Sequence, residues 1–423
     1  MRGQVERSIA EWSSTPARLP DNGPRYSPSD QKERERAYDE ALESVENEAR
    51  RAAKKRADRL AMQERILVSF GRFAGRALDL DGDAVELLTG GFMPIGAEFA
   101  QRARRFDAKL PHEDITQACR NAWTVCGLQP LLGEAMRITP SITGYSLLYP
   151  YSDNYLDAAE IGRDEKLRFS RRFRERLRGE TPQPLNQHEK SIWDLVAMIE
   201  LQYPREGFPQ VYDCLLAIHD AQVESLAQLK GQGACDDSEV LRISCAKGGS
   251  SVLADACLCR GWVNDEESGF AFDWGMLLQL GDDLQDVRVD MKRGSKTLFT
   301  RATAARQPID EIAARLLNMS ERVSERMERL PHGSSVLKGL LRMSWRSLIV
   351  MAVADAQEYF TPAFAAEMER RSPFRFGFLR ARQKQLTKRR GLYANLFEIF
   401  LEPAGSTAIE PECNLCGAAA ANP

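Results

Sequence analysis

From about residue 67 to residue 400, the apolar residues of this chain keep a helical period and nowhere sustain an alternating one. In "SIWDLVAMIELQ", Ile192, Leu195, Val196 and Ile199 fall at i, i+3, i+4 and i+7. The same period runs from Val211 to Leu229 and again from Ile309 to Leu330. No strictly alternating stretch is bounded by Asn-Gly or Asp-Gly, so strands are not expected. No repeat of 20–50 residues is present, which argues against a solenoid. The expected fold class is all-α, with one large helical core. Its 423 residues, 43% hydrophobic, suffice for that core.

The flanks read differently. Residues 1–30, rich in Pro, Ser and Arg, are expected to be disordered. Residues 31–66 mix both charge signs at helical spacing and read as a solvated helical extension. The main domain is expected over 67–403, with a disordered tail over 404–423.

Several function classes fit poorly. A net charge of -3 provides no global field for nucleic acid, and no nucleic-acid-binding motif is present. The first residues, "MRGQVERSIAEW", lack the apolar core of a signal peptide. "SLIVMAVADA", Ser347 to Ala356, is shorter than the roughly 20 apolar residues that span a bilayer, and reads as a buried helix. Nine scattered cysteines suit reduced thiols in a cytoplasm. "CNLC", Cys413 to Cys416, has no second pair to complete a zinc site. His112, His188, His219 and His332 form no HxxxH or HExxH pattern.

One segment is electrostatically costly. "LLQLGDDLQDVRVDMKRGSKTLF", Leu277 to Phe299, places Gln279, Asp282, Asp283, Asp286 and Asp290 on one helical face. Like charges four apart on a helix repel, and no basic residue follows until Arg288. A surface strip would ordinarily mix signs. A second cluster, Asp153 and Asp157 in "YPYSDNYLD", lies among Tyr149, Tyr151 and Tyr155. Carboxylates in apolar surroundings call for a cationic partner. Two such faces meeting across a bundle suit Mg²⁺, which takes a few carboxylates together with phosphate oxygens. Between them, "SCAKGGSSVLADACL" carries Lys247 followed by Gly248 and Gly249. A helix break there would present backbone N–H groups and a lysine to an anion. Lys292, Arg293 and Lys296 follow the second cluster. They do not complete a P-loop.

The three elements in this order resemble the class I isoprenoid synthase superfamily. "QLGDDLQD" is similar to the second Asp-rich motif of the trans-prenyl diphosphate synthases, and "DNYLD" to a DxxxD form of the first. "KGGSSVLAD" is similar to the segment between them that carries a diphosphate-contacting Lys and a helix break. The combination most resembles a bacterial subgroup related to the large-terpene synthases, over roughly residues 80 to 390. The resemblance implies a helical bundle around a central cavity and three Mg²⁺ ions. It implies Asp153, Asp157, Asp282, Asp283 and Asp286 as metal ligands. It implies Lys247, and more weakly Arg205, Arg293 and Lys296, as diphosphate contacts. Tyr149, Tyr151, Tyr155 and Gln279 would line the cavity, the rings facing a cation. The implied activity is ionisation of an allylic prenyl diphosphate, followed by cyclisation and proton loss.

Sibling activities lack their signatures. No Gly-Lys-Arg run of chain-elongating synthases is present, nor the Tyr-Cys-x-x-Val-Ala-Gly-like motif of squalene and phytoene synthases. "NDEESGFAF" begins at Asn264 like an Asn-Asp…Ser…Glu motif, but has Phe272 where Glu is needed, and reads as a loop. Prenyl transfer and a non-catalytic prenyl-diphosphate-binding protein stay open as alternatives. The sequence does not choose between a monomer and a homodimer. The aromatic and basic run "RFGFLRARQKQLTKRRGLYANLFEIF" is a candidate for peripheral contact with an anionic membrane, with a helix packed at the bundle end as the other reading.

Overall fold

The computed structural model describes residues 2–51, 56–158, 160–228, 236–393 and 396. Among these it contains eighteen α-helices and no strand. "CNLC" and the tail over 404–423 lie outside the described residues.

The N-terminal third comprises α1 (Arg2–Ser14), α2 (Pro28–Arg51), α3 (Arg56–Leu78), the short α4 (Gly82–Glu86), α5 (Met93–Phe106) and α6 (His112–Leu131). Next come α7 (Pro140–Asp157), α8 (Arg163–Leu177), α9 (Gln187–Gln202) and α10 (Pro209–Ser225). The long helices α11 (Asp237–Arg260) and α12 (Asp265–Gln285) lead to α13 (Val287–Arg293) and α14 (Leu298–Ala304). The chain ends with α15 (Asp310–Arg329), α16 (Ser335–Asp355), α17 (Pro362–Arg370) and α18 (Phe376–Lys388).

Helix α11 is buried around nearly its whole circumference, as a helix apolar on all sides must be. It packs against α12, α10, α6, α7 and α1. Its pairing with α12 rests on glycine. A Cβ added to Gly275 would sit 2.0 Å from the Gly248 carbonyl oxygen, and one on Gly248 would sit 2.3 Å from that of Gly275. The two backbones therefore touch, and a Cβ on Gly249 would strike the Phe272 ring at 2.4 Å. This corrects the expected break after Lys247: α11 runs unbroken through Gly248 and Gly249, which serve close packing. "NDEESGFAF" is likewise no loop. Asn264 caps α12 in a reciprocal capping box with Glu267, and Phe272 is fully buried.

The N-terminal segment is ordered where disorder was expected. Val5, Ser8 and Trp12 form a buried stripe on α1, which lies against α11 and α12. Ser8 donates to Asp273 at 2.6 Å, and Arg315 donates to the Trp12 carbonyl at 2.9 Å. Farther on, Arg371 donates to the carbonyls of Pro20 (2.7 Å) and Asn22 (2.9 Å), strapping the connector down.

Helices α2 and α3 pair with each other, and α18 joins them through a small aromatic core of Ala37, Ala77 and Phe374, with Tyr38, Phe73 and Phe378 around it. The basic side chains of the α18 region meet acids of α2: Arg375 with Glu35 (2.9 Å), Arg382 with Asp39 (2.6 Å) and Arg389 with Glu46. The rings of Phe374 and Phe376 are buried here, and the apolar end of this run, residues 397–400, lies outside the described residues. "SLIVMAVADA" lies in α16, where Ile349, Val350 and Val353 are buried. Among the described residues no helix is long and apolar enough to cross a membrane.

Candidate active site

Helix α7 carries the first acidic cluster. Thr139 caps its start, accepting from the Ile142 N–H at 3.3 Å, and Pro140 occupies the first turn, where no N–H is needed. Asp153 is buried and accepts from Ser152 Oγ (3.2 Å) and from Gln222 Nε2 of α10. Asn154 turns aside to Asp114, at 3.3 Å. Asp157 ends the helix, and its side chain lies outside the described residues.

The second cluster is not one continuous helix, as its spacing suggested. Helix α12 ends at Gln285, Asp286 caps it, and α13 resumes until Gly294 in the left-handed region (φ 73°). The four aspartates differ sharply in environment. Asp283 is buried, accepting from Ser244 Oγ (3.0 Å) and Gln279 Nε2 (2.8 Å). Burial, with repulsion from Asp282, pushes its carboxyl up to about 7. Asp290 is pushed to about 6 by burial and then by Asp286 and Asp282. Asp286 is raised by burial and by Asp282. Asp282 is partly exposed and lies 3.8 Å from Arg120 of α6.

Beside the clusters lies a pocket, open in part to solvent, whose lining includes none of Asp153, Asp282, Asp283 and Asp286. Helix α7 lines it with Tyr145, Leu148, Tyr149 and Ser152, one helical face at i, i+3, i+4 and i+7. Helix α10 contributes Leu215, Ile218, His219 and Gln222; α8 contributes Phe173 and Leu177. Lys247 and Ser251 of α11, Gln279 of α12 and Asn121 of α6 complete it. The Tyr145 hydroxyl donates across the cavity wall to the Ser251 carbonyl at 3.2 Å.

Of the expected lining, Tyr149 and Gln279 are present; Tyr151 and Tyr155 are not. The Tyr151 hydroxyl donates to Asp107 (2.8 Å) and that of Tyr155 to Glu165 (3.0 Å), and the Tyr155 ring stacks on His188 with centroids 4.5 Å apart. Both therefore belong to the packing of α7 against α5, α8 and α9. Lys247 lines the cavity as an anion contact would. Arg205 does not. It is held by Glu200 (2.7 Å) and by the Leu177 carbonyl (2.6 Å), and lies over the Tyr212 ring, where it fastens the end of α8. Arg293 and Lys296 also lie outside the lining. Arg293 is exposed and close enough to Asp286 and Asp290 to offset part of their repulsion. The backbone N–H of Lys296 donates to Gln228 at 2.9 Å.

Arg120, Asn121, His219 and Gln222 escaped the sequence reading, since each is an isolated polar residue on a helix of ordinary composition. His219 is buried, with Nε2 2.9 Å from the Ser170 carbonyl, and burial lowers its pKa. Among the described residues, no three His, Cys, Asp or Glu side chains converge into a ready-made ion site.

No protein-family model matches this chain, and no curated protein matches it in sequence.

Proposed function

We propose that this protein is a Mg²⁺-dependent class I isoprenoid enzyme that ionises an allylic prenyl diphosphate in this cavity and converts the resulting cation to a terpene. One observation carries the reading. A single cavity is bordered by Asp153 through Gln222 and by Asp283 through Gln279, with Lys247 on its wall. The donor set fits a hard divalent cation: carboxylate oxygens, crowded until burial and mutual repulsion raise Asp283, Asp286 and Asp290. Asp153, with Asp157, would hold Mg²⁺ on one side, and Asp282, Asp283 and Asp286 on the other, diphosphate oxygens completing each shell. Bound there, Mg²⁺ supplies neutralisation of the departing diphosphate.

The chain's own residues do the rest. Lys247 binds a diphosphate oxygen. Arg120, beside Asp282, adds positive charge at the same end. The C–O bond breaks with its electron pair leaving on diphosphate, and the allylic cation rests among Leu148, Tyr149, Phe173 and Leu215. These apolar and aromatic walls limit access of water.

Incubation with Mg²⁺ and allylic diphosphates of C10 to C35 should release diphosphate and yield terpene products by mass spectrometry. Release with none of them refutes the reading. Products longer than the diphosphate supplied identify prenyl transfer instead of cyclisation.

A further inference from the structure

Three carboxamides line the cavity: Asn121, Gln222 and Gln279. Each is bonded through its nitrogen to a buried acid. Asn121 Nδ2 donates to Asp255 Oδ1 at 3.0 Å and to Ser146 Oγ at 3.1 Å. Gln222 Nε2 donates to Asp153, and Gln279 Nε2 to Asp283 at 2.8 Å. The three acids come from different helices, α11, α7 and α12, yet make the same contact.

A carboxylate oxygen only accepts, so an ionised acid decides which way a neighbouring amide must face. Asp255 is fully buried, and burial raises it well above the usual carboxylate range. Its Oδ2 meets no described donor or acceptor. With the proton on Oδ2, Oδ1 still accepts from Asn121. In all three pairs the N–H₂ is thus committed to an acid. The side-chain bonds of all three amides run through nitrogen, which leaves each oxygen the atom free to turn toward the cavity.

We infer that Asn121, Gln222 and Gln279 form a cage of inward-facing amide oxygens that binds positive charge in the cavity, with Asp255, Asp153 and Asp283 as the positioning residues that orient them. The inference rests on the proposed activity for its physiological ligand, the allylic cation. It assigns the stabilisation of that cation chiefly to three carbonyl dipoles, where the sequence suggested tyrosine rings. Dipoles fixed before the charge appears stabilise it without reorganising. Tyr151 and Tyr155 cannot serve, since they face away.

The test uses the full chain and a permanently charged probe. One ligand is a prenyl chain ending in trimethylammonium; the other is its neutral isostere ending in tert-butyl. Calorimetry should show the ammonium binding about tenfold or more tightly through charge–dipole attraction, since it has no N–H to donate. Equal affinity of the wild-type protein for both overturns the inference. Asn121→Leu and Gln279→Met should each erode the preference severalfold while the neutral ligand binds as before. Asp255→Asn, which lets the Asn121 amide turn over, should act in the same direction. A preference that survives these variants but vanishes in Asp282→Ala belongs to the acidic strip and also overturns the cage. The turnover assay separates the two readings. Diphosphate release without ammonium preference retires the cage alone, whereas ammonium preference without diphosphate release retires the enzyme and keeps the cage.

Discussion

Two faces of this molecule are densely acidic, and they are treated in opposite ways. On α2, Glu35, Asp39 and Glu46 each meet an arginine of the α18 region, at Arg375, Arg382 and Arg389. On α12 and α13, Asp282, Asp283, Asp286 and Asp290 share Arg120 at 3.8 Å and the influence of Arg293. The acids of α2 are held low by their partners, as at Glu35 and Glu46. Asp283, Asp286 and Asp290 of the second face are driven up. A face neutralised within the chain is built for stability. The face left short of positive charge, beside a cavity, is where the proposed Mg²⁺ would be taken up.

The sharpest way to break that contrast is Asp282→Ala. Diphosphate release should fall by about 10²–10³-fold, the scale for losing one preorganised electrostatic group. Melting temperature should hold or rise, because a repelling charge is gone. Retained turnover would place Asp282 outside the site. Substitution at the backbone contact beneath the site comes next. Gly275→Ala places a methyl 2.0 Å from the Gly248 carbonyl, and should cost about 3 kcal/mol or more in thermal unfolding. A stability loss under 1 kcal/mol would mean that α11 and α12 separate easily. Glu46→Ala should lower stability by about 2 kcal/mol, since it strands Arg389 and the Tyr393 hydroxyl; turnover of the folded fraction should not change. An activity loss without a stability loss would erase the distinction between the two faces.

The smallest effect follows pH. Asp283 titrates near 7 in the folded protein and near 3.9 unfolded. The folded state therefore holds the proton more tightly. With divalent ions chelated, this group's contribution to stability is present below about pH 4 and is lost as pH rises to about 7. Asp290, pushed to about 6, acts in the same direction. Asp283→Asn should melt higher than the wild type at pH 8, and the advantage should shrink toward pH 5. Mg²⁺ at pH 8 should raise the wild-type melting temperature and leave the α2 face, already paired, indifferent.

Much of this was legible in the chain. Helical period and the absence of alternation are local signals, and the fold is all-helical accordingly. The acidic spacing was legible because charge repulsion on a helix is also local. The glycines after Lys247 misled. Propensity counts what Gly costs one helix and is blind to Gly275 on another, which lets the two backbones meet. Tyr151 and Tyr155 were grouped with Tyr149 by nearness in sequence. The turn of the helix instead puts Tyr149 with Tyr145 and Ser152, and the other two on the far side. Residues 1–30 looked unstructured by composition, yet Val5, Ser8 and Trp12 carry a helical stripe that finds its partner only in the folded bundle. Asn121 and Gln222 gave no signal, because an amide acquires a role only from the acid placed behind it.

The touching backbones of α11 and α12 also set how the cavity can respond to a ligand. Lys247 and Gln279 project from two helices that cannot slide or separate without breaking van der Waals contact along the main chain. That wall is a rigid anvil, and any adjustment to ligands of different shape must come from α7, α8 and α10 opposite. Amide hydrogen exchange should therefore be slowest through the middle of α11 and α12, with ligand-dependent slowing confined to the facing helices.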